Sequence, residues 1–472
     1  MRLFLSNLVV YGIGGVLNKM VPIIMVPIIT KLMPSTEYYG ISDTLTIITS
    51  LFSSLALMGM YDAMFRIFFE KEDLCYKRKV CSTSFLFTVI IAFFVSFTVF
   101  MLRNQFSVLF LKSGEYSYLI IIVAITIFVS STNNIVAAPT RMENKRRVYI
   151  IANCLTSLIA YSISVVLLIS GKYIIALPIG ILLSNAFLEM FYIVLNKEWF
   201  SFRCFDWQLL KSLLYIAIPI APNILIFWVY NSCDRFMITS YLGMGQEAVY
   251  SVGAKIGQAS QLFYLAFSGG WQFFSFSTMK EKRRVEDNSR IFEYLMVMSL
   301  FATLFICAIS SLVFSVMFDK RYQLGYIVAP YLFLAPLVQM LFQVVATQFT
   351  IEKKTYFNTF FLIAGVLANV VLNYVLIPLL GIEGASIATV IGYAVATILC
   401  ISFLVHFKLF LITNRMIGVM IVFGILFSIW RLWYSQRICA GILIFMLSGL
   451  IYSLFYKKDL RILVESLYKR KG

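Results

Sequence analysis

The chain has 472 residues, of which 61% are hydrophobic and 13% charged; its formal net charge is +17 and its mean hydropathy +0.89. Soluble domains are only about 45–50% apolar, so this composition excludes a water-soluble globular protein. Apolar runs of about 20 residues recur along the chain, each long enough for a helix to cross a hydrocarbon layer of about 30 Å. The sequence therefore predicts an all-α polytopic membrane protein.

Hydropathy, charges and turn residues divide the chain into about fourteen predicted transmembrane helices. Their predicted limits are 7–31, 41–67, 81–102, 117–139, 148–170, 173–195, 212–240, 248–278, 291–317, 325–350, 356–380, 383–406, 413–431 and 438–456. The start of the chain leads into the first span without a small-residue cleavage site, so we expect this span to be retained and not removed as a signal peptide.

Lys and Arg residues are distributed unevenly between alternate loops. With the N-terminus inside, about 27 of them fall in cytoplasmic segments and about 9 outside. The positive-inside rule then predicts a multi-pass protein of a bacterial inner (cytoplasmic) membrane with both termini cytoplasmic. The net charge of +17 follows from this asymmetry, because basic loops face an anionic leaflet. It does not indicate nucleic-acid binding.

The chain also carries a weak internal repeat with an offset of about 210 residues. Four points of the topology share it: Glu143 with Glu352, Glu37 with Glu247, Gly171 with Gly381, and the basic loops 70–79 and 280–290. The repeat predicts a first lobe at 1–196 (helices 1–6), a cytoplasmic interfacial linker at 197–211 and a second lobe at 212–407 (helices 7–12). Two extra helices (13–14) lie within 408–456, and a basic cytoplasmic tail at 457–472 suits a helix on the membrane surface.

Six helices are an even number, so the two lobes form a parallel repeat about an axis along the membrane normal. Two such lobes enclose a central cavity that can open alternately to either side. Prolines occupy equivalent helices, with Pro22 and Pro27 in the first span and Pro219 and Pro222 in the seventh. Because proline removes a backbone hydrogen bond, we expect hinges at these places. The alternative is that prolines are simply commoner in membrane helices.

Charged residues within the spans are the strongest functional signal, since a charge at the centre of a bilayer costs at least about 2.5–3.5 kcal/mol. The candidate cavity cations are Lys19, Arg66, Arg235 and Lys255, and the candidate ion-coupling acids are Asp62, Glu189 and Asp234. Excess cations suggest an anionic cargo, such as a pyrophosphate or an acidic sugar. Two structural alternatives stay open: Asp62 can pair with Arg66 four residues on, and Lys255 can pair with an acid.

Other sequence features argue against an enzyme. The chain has no Gly-x-x-x-x-Gly-Lys-Ser/Thr loop for ATP hydrolysis. Its eight cysteines are scattered without a Cys-x-x-Cys pair, and its one histidine, His406, ends a predicted span. We therefore expect no catalytic residues, no metal and no cofactor.

Several segments together resemble bacterial polysaccharide flippases of the Wzx type, in the multidrug/oligosaccharidyl-lipid/polysaccharide (MOP) exporter superfamily. These segments are Gly59–Phe69, Leu209–Pro219, Ser232–Ile238, Tyr241–Gly243, Val249–Ile256, Asn373–Pro378 and Gly381–Thr389. The chain departs from the family at Val249, where Gly is usual, and at Gly253, which precedes the Ala-Lys pair. Neither departure changes a charge.

The resemblance implies a V-shaped, MATE-like pair of six-helix lobes with two extra helices. It also implies a flippase that moves undecaprenyl-pyrophosphate-linked oligosaccharide repeat units from the inner to the outer leaflet, for O-antigen, capsule or exopolysaccharide synthesis. Lys19, Arg66, Arg235 and Lys255 would then contact the pyrophosphate and sugars, and the expected partners are membrane lipids, a polysaccharide polymerase and a chain-length regulator. The alternatives are a multidrug or cation antiporter of the same superfamily, a lipid II flippase, or a structural or enzymatic membrane protein.

Overall fold

The computed structural model describes residues 20–279, 281, 283–459 and 461, and regular structure in these residues is helical throughout. Twelve of the described helices are long and apolar enough to cross a bilayer. The predicted all-α polytopic class is thereby confirmed. Lys19, the loop residues Lys280 and Lys282, and most of the basic tail lie outside the described residues.

The helices of the first half are α1 (Met20–Leu32), α2 (Thr36–Leu57), α3 (Met60–Phe68), α4 (Leu74–Met101), α5 (Arg103–Leu111), α6 (Ser117–Met142), α7 (Arg146–Ile169) and α8 (Ala176–Leu195). Those of the second half are α9 (Trp207–Leu242), α10 (Met244–Gly257), α11 (Gln261–Ser277), α12 (Arg284–Met317), α13 (Gly325–Ile351), α14 (Tyr356–Leu380), α15 (Ile382–His406), α16 (Asn414–Ile429) and α17 (Ile438–Phe455). The described part of the first predicted span is α1, and α10 with α11 makes up the eighth. Together with the twelve long helices, they make the helix count approximately consistent with the fourteen predicted spans.

The second predicted span, 41–67, is not one helix. The chain breaks between α2 and α3, where Met58 and Gly59 have φ angles of +45° and +76°. Gly59 is required here, because a Cβ at this position would lie 2.7 Å from the carbonyl oxygen of Ala217 in α9. The break gives α3 a direction of its own and so positions Tyr61 and Asp62.

The prolines do not interrupt their helices. Pro219 and Pro222 lie inside the continuous helix α9, and Pro22 and Pro27 lie within α1. The helix break in this region is at Gly59 instead. The hinge role of the four prolines stays a prediction.

The described chain packs as two compact units. The first runs to Val252 and includes Asn373–Ala385; the second contains Gly253–Leu372 and the chain from Ser386 onwards. Helix α9 belongs to the first unit because it packs on α2, α3 and α4. These two units are defined by packing contacts, whereas the predicted lobes are defined by the sequence repeat. The limits of the lobes therefore stay a prediction.

The predicted linker is fixed to α4 in the first unit. The Ser82 hydroxyl donates to the Trp199 carbonyl at 3.2 Å, and the Thr83 hydroxyl oxygen accepts from the Asp206 N–H at 3.0 Å. Asp206 caps α9, and its carboxylate accepts the backbone N–H of Leu209. This bond, above all, lowers the pKa of Asp206 below its usual value. The linker is therefore an anchored segment at the start of α9.

In the second unit, the end of α10 approaches α13 through two glycines. A Cβ at Gly253 would lie 2.8 Å from the carbonyl oxygen of Gly325, and one at Gly257 would lie 2.7 Å from the Cβ of Leu332. Their four-residue spacing is the small-residue pattern that lets membrane helices pack closely. The glycine at 253, where the sequence departs from the resembled family, thus has a packing role beside Lys255.

Candidate functional site

Arg235 and Asp43 form a buried ion pair in the first unit. The Arg235 Nη1 lies 2.6 Å from the Asp43 Oδ2, and the two side chains are 10% and 7% exposed. Asp43 is seven residues from the start of α2, and Arg235 is seven residues from the end of α9. Both ends are predicted to be external, so the pair lies about 10 Å inside them at about 1.5 Å per residue.

Two further acids surround this pair. Asp234 is buried, accepts a hydrogen bond from the Tyr250 hydroxyl, and accepts the Arg235 backbone N–H at 2.9 Å. Glu247 is fully buried, and its negative charge acts on the Arg235 guanidinium together with those of Asp43 and Asp234. We call Asp43, Asp234, Arg235, Glu247 and Tyr250 the outer cluster. Because it holds three acids and one arginine, it can bind a proton without losing its ion pair.

Glu189 lies in a separate polar contact between α6 and α8. It is half-buried and accepts a hydrogen bond from the Thr132 hydroxyl at 2.5 Å. Beside it, the Asn185 side-chain amide donates to the Ser130 hydroxyl at 3.3 Å. This contact lies between helices of the first sequence repeat.

A small polar cavity, the inner pocket, lies near the predicted cytoplasmic end of α6. Its volume is about 130 Å³, and its polar lining is Tyr61, Asn133, Asn134, Arg141, Tyr149, Asn153 and Tyr192. The Arg141 Nη1 donates to the Tyr61 hydroxyl at 2.5 Å, and its Cζ lies 5.2 Å from the centre of the Tyr149 ring. Four helices, α3, α6, α7 and α8, contribute to this pocket.

The predicted site residues are distributed over these places. Asp234 and Arg235 lie together in the outer cluster, Asp62 is exposed beside the inner pocket, and Lys255 is half-buried in the second unit. Arg66 is exposed on α3, but the cation that acts on the Asp62 carboxylate is Arg141. The suggested ion pair between Asp62 and Arg66 is not among those formed by the described residues.

Sequence analysis missed Asp43 and Arg141. Asp43 falls at the edge of a predicted span, where a charge needs no explanation, and Arg141 falls at the end of α6 among residues assigned to a basic loop. The available signal for Asp43 was its depth: in helices that run in opposite directions, Asp43 and Arg235 lie equally far from the predicted external ends. For Arg141 the informative residue was its hydrogen-bond partner Tyr61, which follows the helix break at Gly59.

Residues 28–266, just over half of the chain, match the family model described as "Polysaccharide biosynthesis protein". A search among curated protein sequences found no match. Solved structures match over most of the chain at low identity, and they show the fold.

A structure of the lipid II flippase MurJ in an inward closed conformation has a TM-score of 0.70 at 15% identity, and the match covers 98% of this chain and 100% of that chain. An inward-facing multidrug-resistance MATE family transporter of the MOP superfamily has a TM-score of 0.62 at 14% identity, covering 82% and 93% of the two chains. A MOP superfamily transporter from Pyrococcus furiosus, described with a binding pocket of reverse polarity, has a TM-score of 0.56 at 16% identity, covering 84% and 94%.

The outer cluster predicts an asymmetry between two Arg→Gln variants. Arg235→Gln leaves three buried acids without their cation, so we expect a loss of about 3–5 kcal/mol in the free energy of unfolding. Arg415→Gln removes an arginine that is 46% exposed and paired with Asp459, which should cost about 0–1 kcal/mol. Asp43→Asn should cost less than Arg235→Gln, because Asp234 and Glu247 still face the guanidinium. Denaturant unfolding in detergent measures all three, and equal losses for the two arginine variants would contradict this account.

Proposed function

This chain belongs to the family of polysaccharide biosynthesis proteins, and on that premise we propose that it is a flippase for lipid-linked oligosaccharides. It moves undecaprenyl-pyrophosphate-linked repeat units from the cytoplasmic to the outer leaflet of a bacterial inner membrane by alternating access. The surface polysaccharide made from them is an O-antigen, a capsule or an exopolysaccharide. The protein changes the position of its cargo and not its covalent structure, so the proposal assigns it no catalytic residue.

One observation carries the proposal. A sequence match to polysaccharide biosynthesis proteins over 28–266 coincides in one chain with a fold similar to that of the lipid II flippase MurJ over 98% of its length. A family that builds polysaccharide needs a step that carries a hydrophilic sugar chain across a bilayer. A fold similar to that of transporters is suited to carry out this transfer.

The cations within the helices fit an anionic cargo. Lys19, Arg66, Arg235 and Lys255 are proposed to contact or steer the pyrophosphate and sugars, because ammonium and guanidinium groups form charge-assisted bonds with phosphate oxygens. Of these, Arg235 has the clearest second role, since it is paired with Asp43. Lys255 and the exposed Arg66 are the described cations that we favour for cargo contact. A polysaccharide polymerase and a chain-length regulator are proposed partners.

The outer cluster supports ion coupling. Three acids around one arginine favour proton uptake there, and we propose that transport is coupled to a proton through Asp234 in this cluster, or through Glu189 or Asp62 outside it. The same excess of acids favours the alternative of a multidrug or cation antiporter.

A second alternative is a lipid II flippase, favoured by the TM-score of 0.70 to MurJ. The two lipid-linked cargoes serve different polymers, so the phenotype of a deletion separates the proposals. Loss of surface polysaccharide with normal growth supports our proposal. Loss of cell-wall synthesis with intact surface polysaccharide supports the lipid II alternative, and an unchanged polymer pattern with altered drug sensitivity supports the antiporter.

Complementation of a deletion strain tests the cargo cations. We expect Lys19→Ala and Lys255→Ala to insert at normal abundance and fail to restore surface polysaccharide, and the Lys→Arg variants to be intermediate or near normal because they keep the charge. Polysaccharide per molecule of protein is measured by immunoblotting and sugar analysis. Export at the wild-type rate by both Ala variants would remove these residues from the cargo site. A fall in abundance alone would mean that each lysine only satisfies an acid.

The same assay tests coupling. If a proton drives transport, at least one of Asp62→Asn, Glu189→Gln and Asp234→Asn should abolish export without loss of folded protein, since an amide, unlike a carboxylate, stays neutral and cannot carry a proton in this way. Glu383→Gln is a matched control, because Glu383 is an acid outside the three candidates. Full export by all three test variants would refute proton coupling through these residues.

A further inference from the structure

The inner pocket combines a cation with aromatic rings and side-chain amides, and none of the predicted cargo contacts lies at its centre. The guanidinium of Arg141 lies within cation–π distance of two rings that line the pocket, with its Cζ 5.7 Å from the centre of the Tyr61 ring and 5.2 Å from that of Tyr149. The bond from Arg141 to the Tyr61 hydroxyl fixes its direction with a neutral acceptor. The pocket therefore holds a positive charge in a set orientation.

Asn133 supplies a second polar feature. Its side-chain oxygen is buried and, among the described residues, has no hydrogen-bond partner. A buried acceptor without a partner costs free energy that a ligand bearing a hydroxyl group recovers. Also in the pocket lining, the Asn153 amide donates to the Tyr192 hydroxyl at 3.4 Å. The pocket is thus equipped for hydroxyl groups as well as for an anion.

The size of the pocket restricts the ligand further. At about 130 Å³, it is smaller than the roughly 300–1,000 Å³ of pockets that enclose drug-sized molecules. It can receive one charged group and the edge of one ring, and not a whole oligosaccharide. Its position near the end of α6, predicted to be cytoplasmic, is on the side where a cargo built in the cytoplasm would enter.

We propose that the inner pocket binds a sugar phosphate, with Arg141 holding the phosphate and Asn133 accepting a hydrogen bond from a sugar hydroxyl. Resting on the proposed function, this assigns the pocket to the junction between the phosphate and the first sugar of the lipid-linked unit. Arg141 is then a cargo-binding residue in addition to the four predicted cations. The negative charge of Asp62, which acts on Arg141, would repel the bound phosphate and weaken its binding.

Binding to the purified full-length protein in detergent tests the assignment. The probe is glucose 1-phosphate, with inorganic phosphate and glucose as partial ligands, and binding is measured by isothermal titration. We expect glucose 1-phosphate to bind more tightly than either partial ligand. Arg141→Gln should weaken it about tenfold or more, because the charge-assisted bond is lost. Asn133→Ala should reduce the affinity towards that of inorganic phosphate, and Asp62→Asn should increase it.

Arg147→Gln is the matched control, because Arg147 is an exposed arginine on the same predicted cytoplasmic side and does not line the pocket. It should bind glucose 1-phosphate as the wild type does. The proposal is overturned if wild-type protein does not bind glucose 1-phosphate, if Arg141→Gln binds it normally, or if Arg147→Gln loses as much affinity. Equal affinity for inorganic phosphate and glucose 1-phosphate would overturn the sugar contact.

Export in the deletion strain separates a lipid-linked cargo from a free sugar phosphate. If the pocket serves the cargo, Arg141→Gln inserts normally and lowers surface polysaccharide, while Arg147→Gln restores it. If Arg141→Gln loses glucose 1-phosphate binding and still exports at the wild-type rate, the cargo assignment is refuted while the proposed function stands. If deletion of the protein itself leaves surface polysaccharide unchanged, the proposed function fails irrespective of Arg141.

Discussion

Within a hydrocarbon layer, a charged side chain needs a counter-charge, an aromatic face or access to water. The ion pair between Arg235 and Asp43 meets this need for two helices at once, since it joins α2 to α9 from the same depth in each. Asp234 and Glu247 can be buried nearby only because that arginine is present. Arg141 meets the same need in another way, with the Tyr61 hydroxyl and the Tyr149 ring as neighbours. The placement of charges in the first unit follows from this requirement.

The composition was sufficient to predict the class of fold. Long apolar runs are not stable in water, so the predicted spans could be identified from hydropathy alone, and the described chain has twelve helices long and apolar enough to cross a bilayer. The break between α2 and α3 was not predicted, because hydropathy does not change at Met58 and Gly59. The need for glycine at the break comes from the approach of the Ala217 carbonyl, which lies far from Gly59 in sequence.

The candidate site was predictable in part for a related reason. Asp234 and Arg235 were identified because they lie within a predicted span, near its outer end. Asp43 and Arg141 fall at or just beyond the limits of predicted spans, where a charge calls for no explanation in the sequence, and their roles come from partners in other helices. Tyr61 and Arg141 are 80 residues apart in sequence. Sequence patterns therefore indicate well how deep a residue lies in the membrane, but they indicate poorly which residue of another helix it contacts.

The central claim is that this chain carries a lipid-linked sugar across a bilayer, and direct transport measures it. The purified full-length protein is reconstituted into liposomes that contain a fluorescent polyprenyl-diphosphate oligosaccharide, and a membrane-impermeant quencher is added outside. The account predicts that the labelled pool on the inner leaflet becomes accessible over time in proportion to the amount of protein. The account would be contradicted if the quencher reached only the outer-leaflet label, as in protein-free liposomes, both with and without an imposed proton gradient.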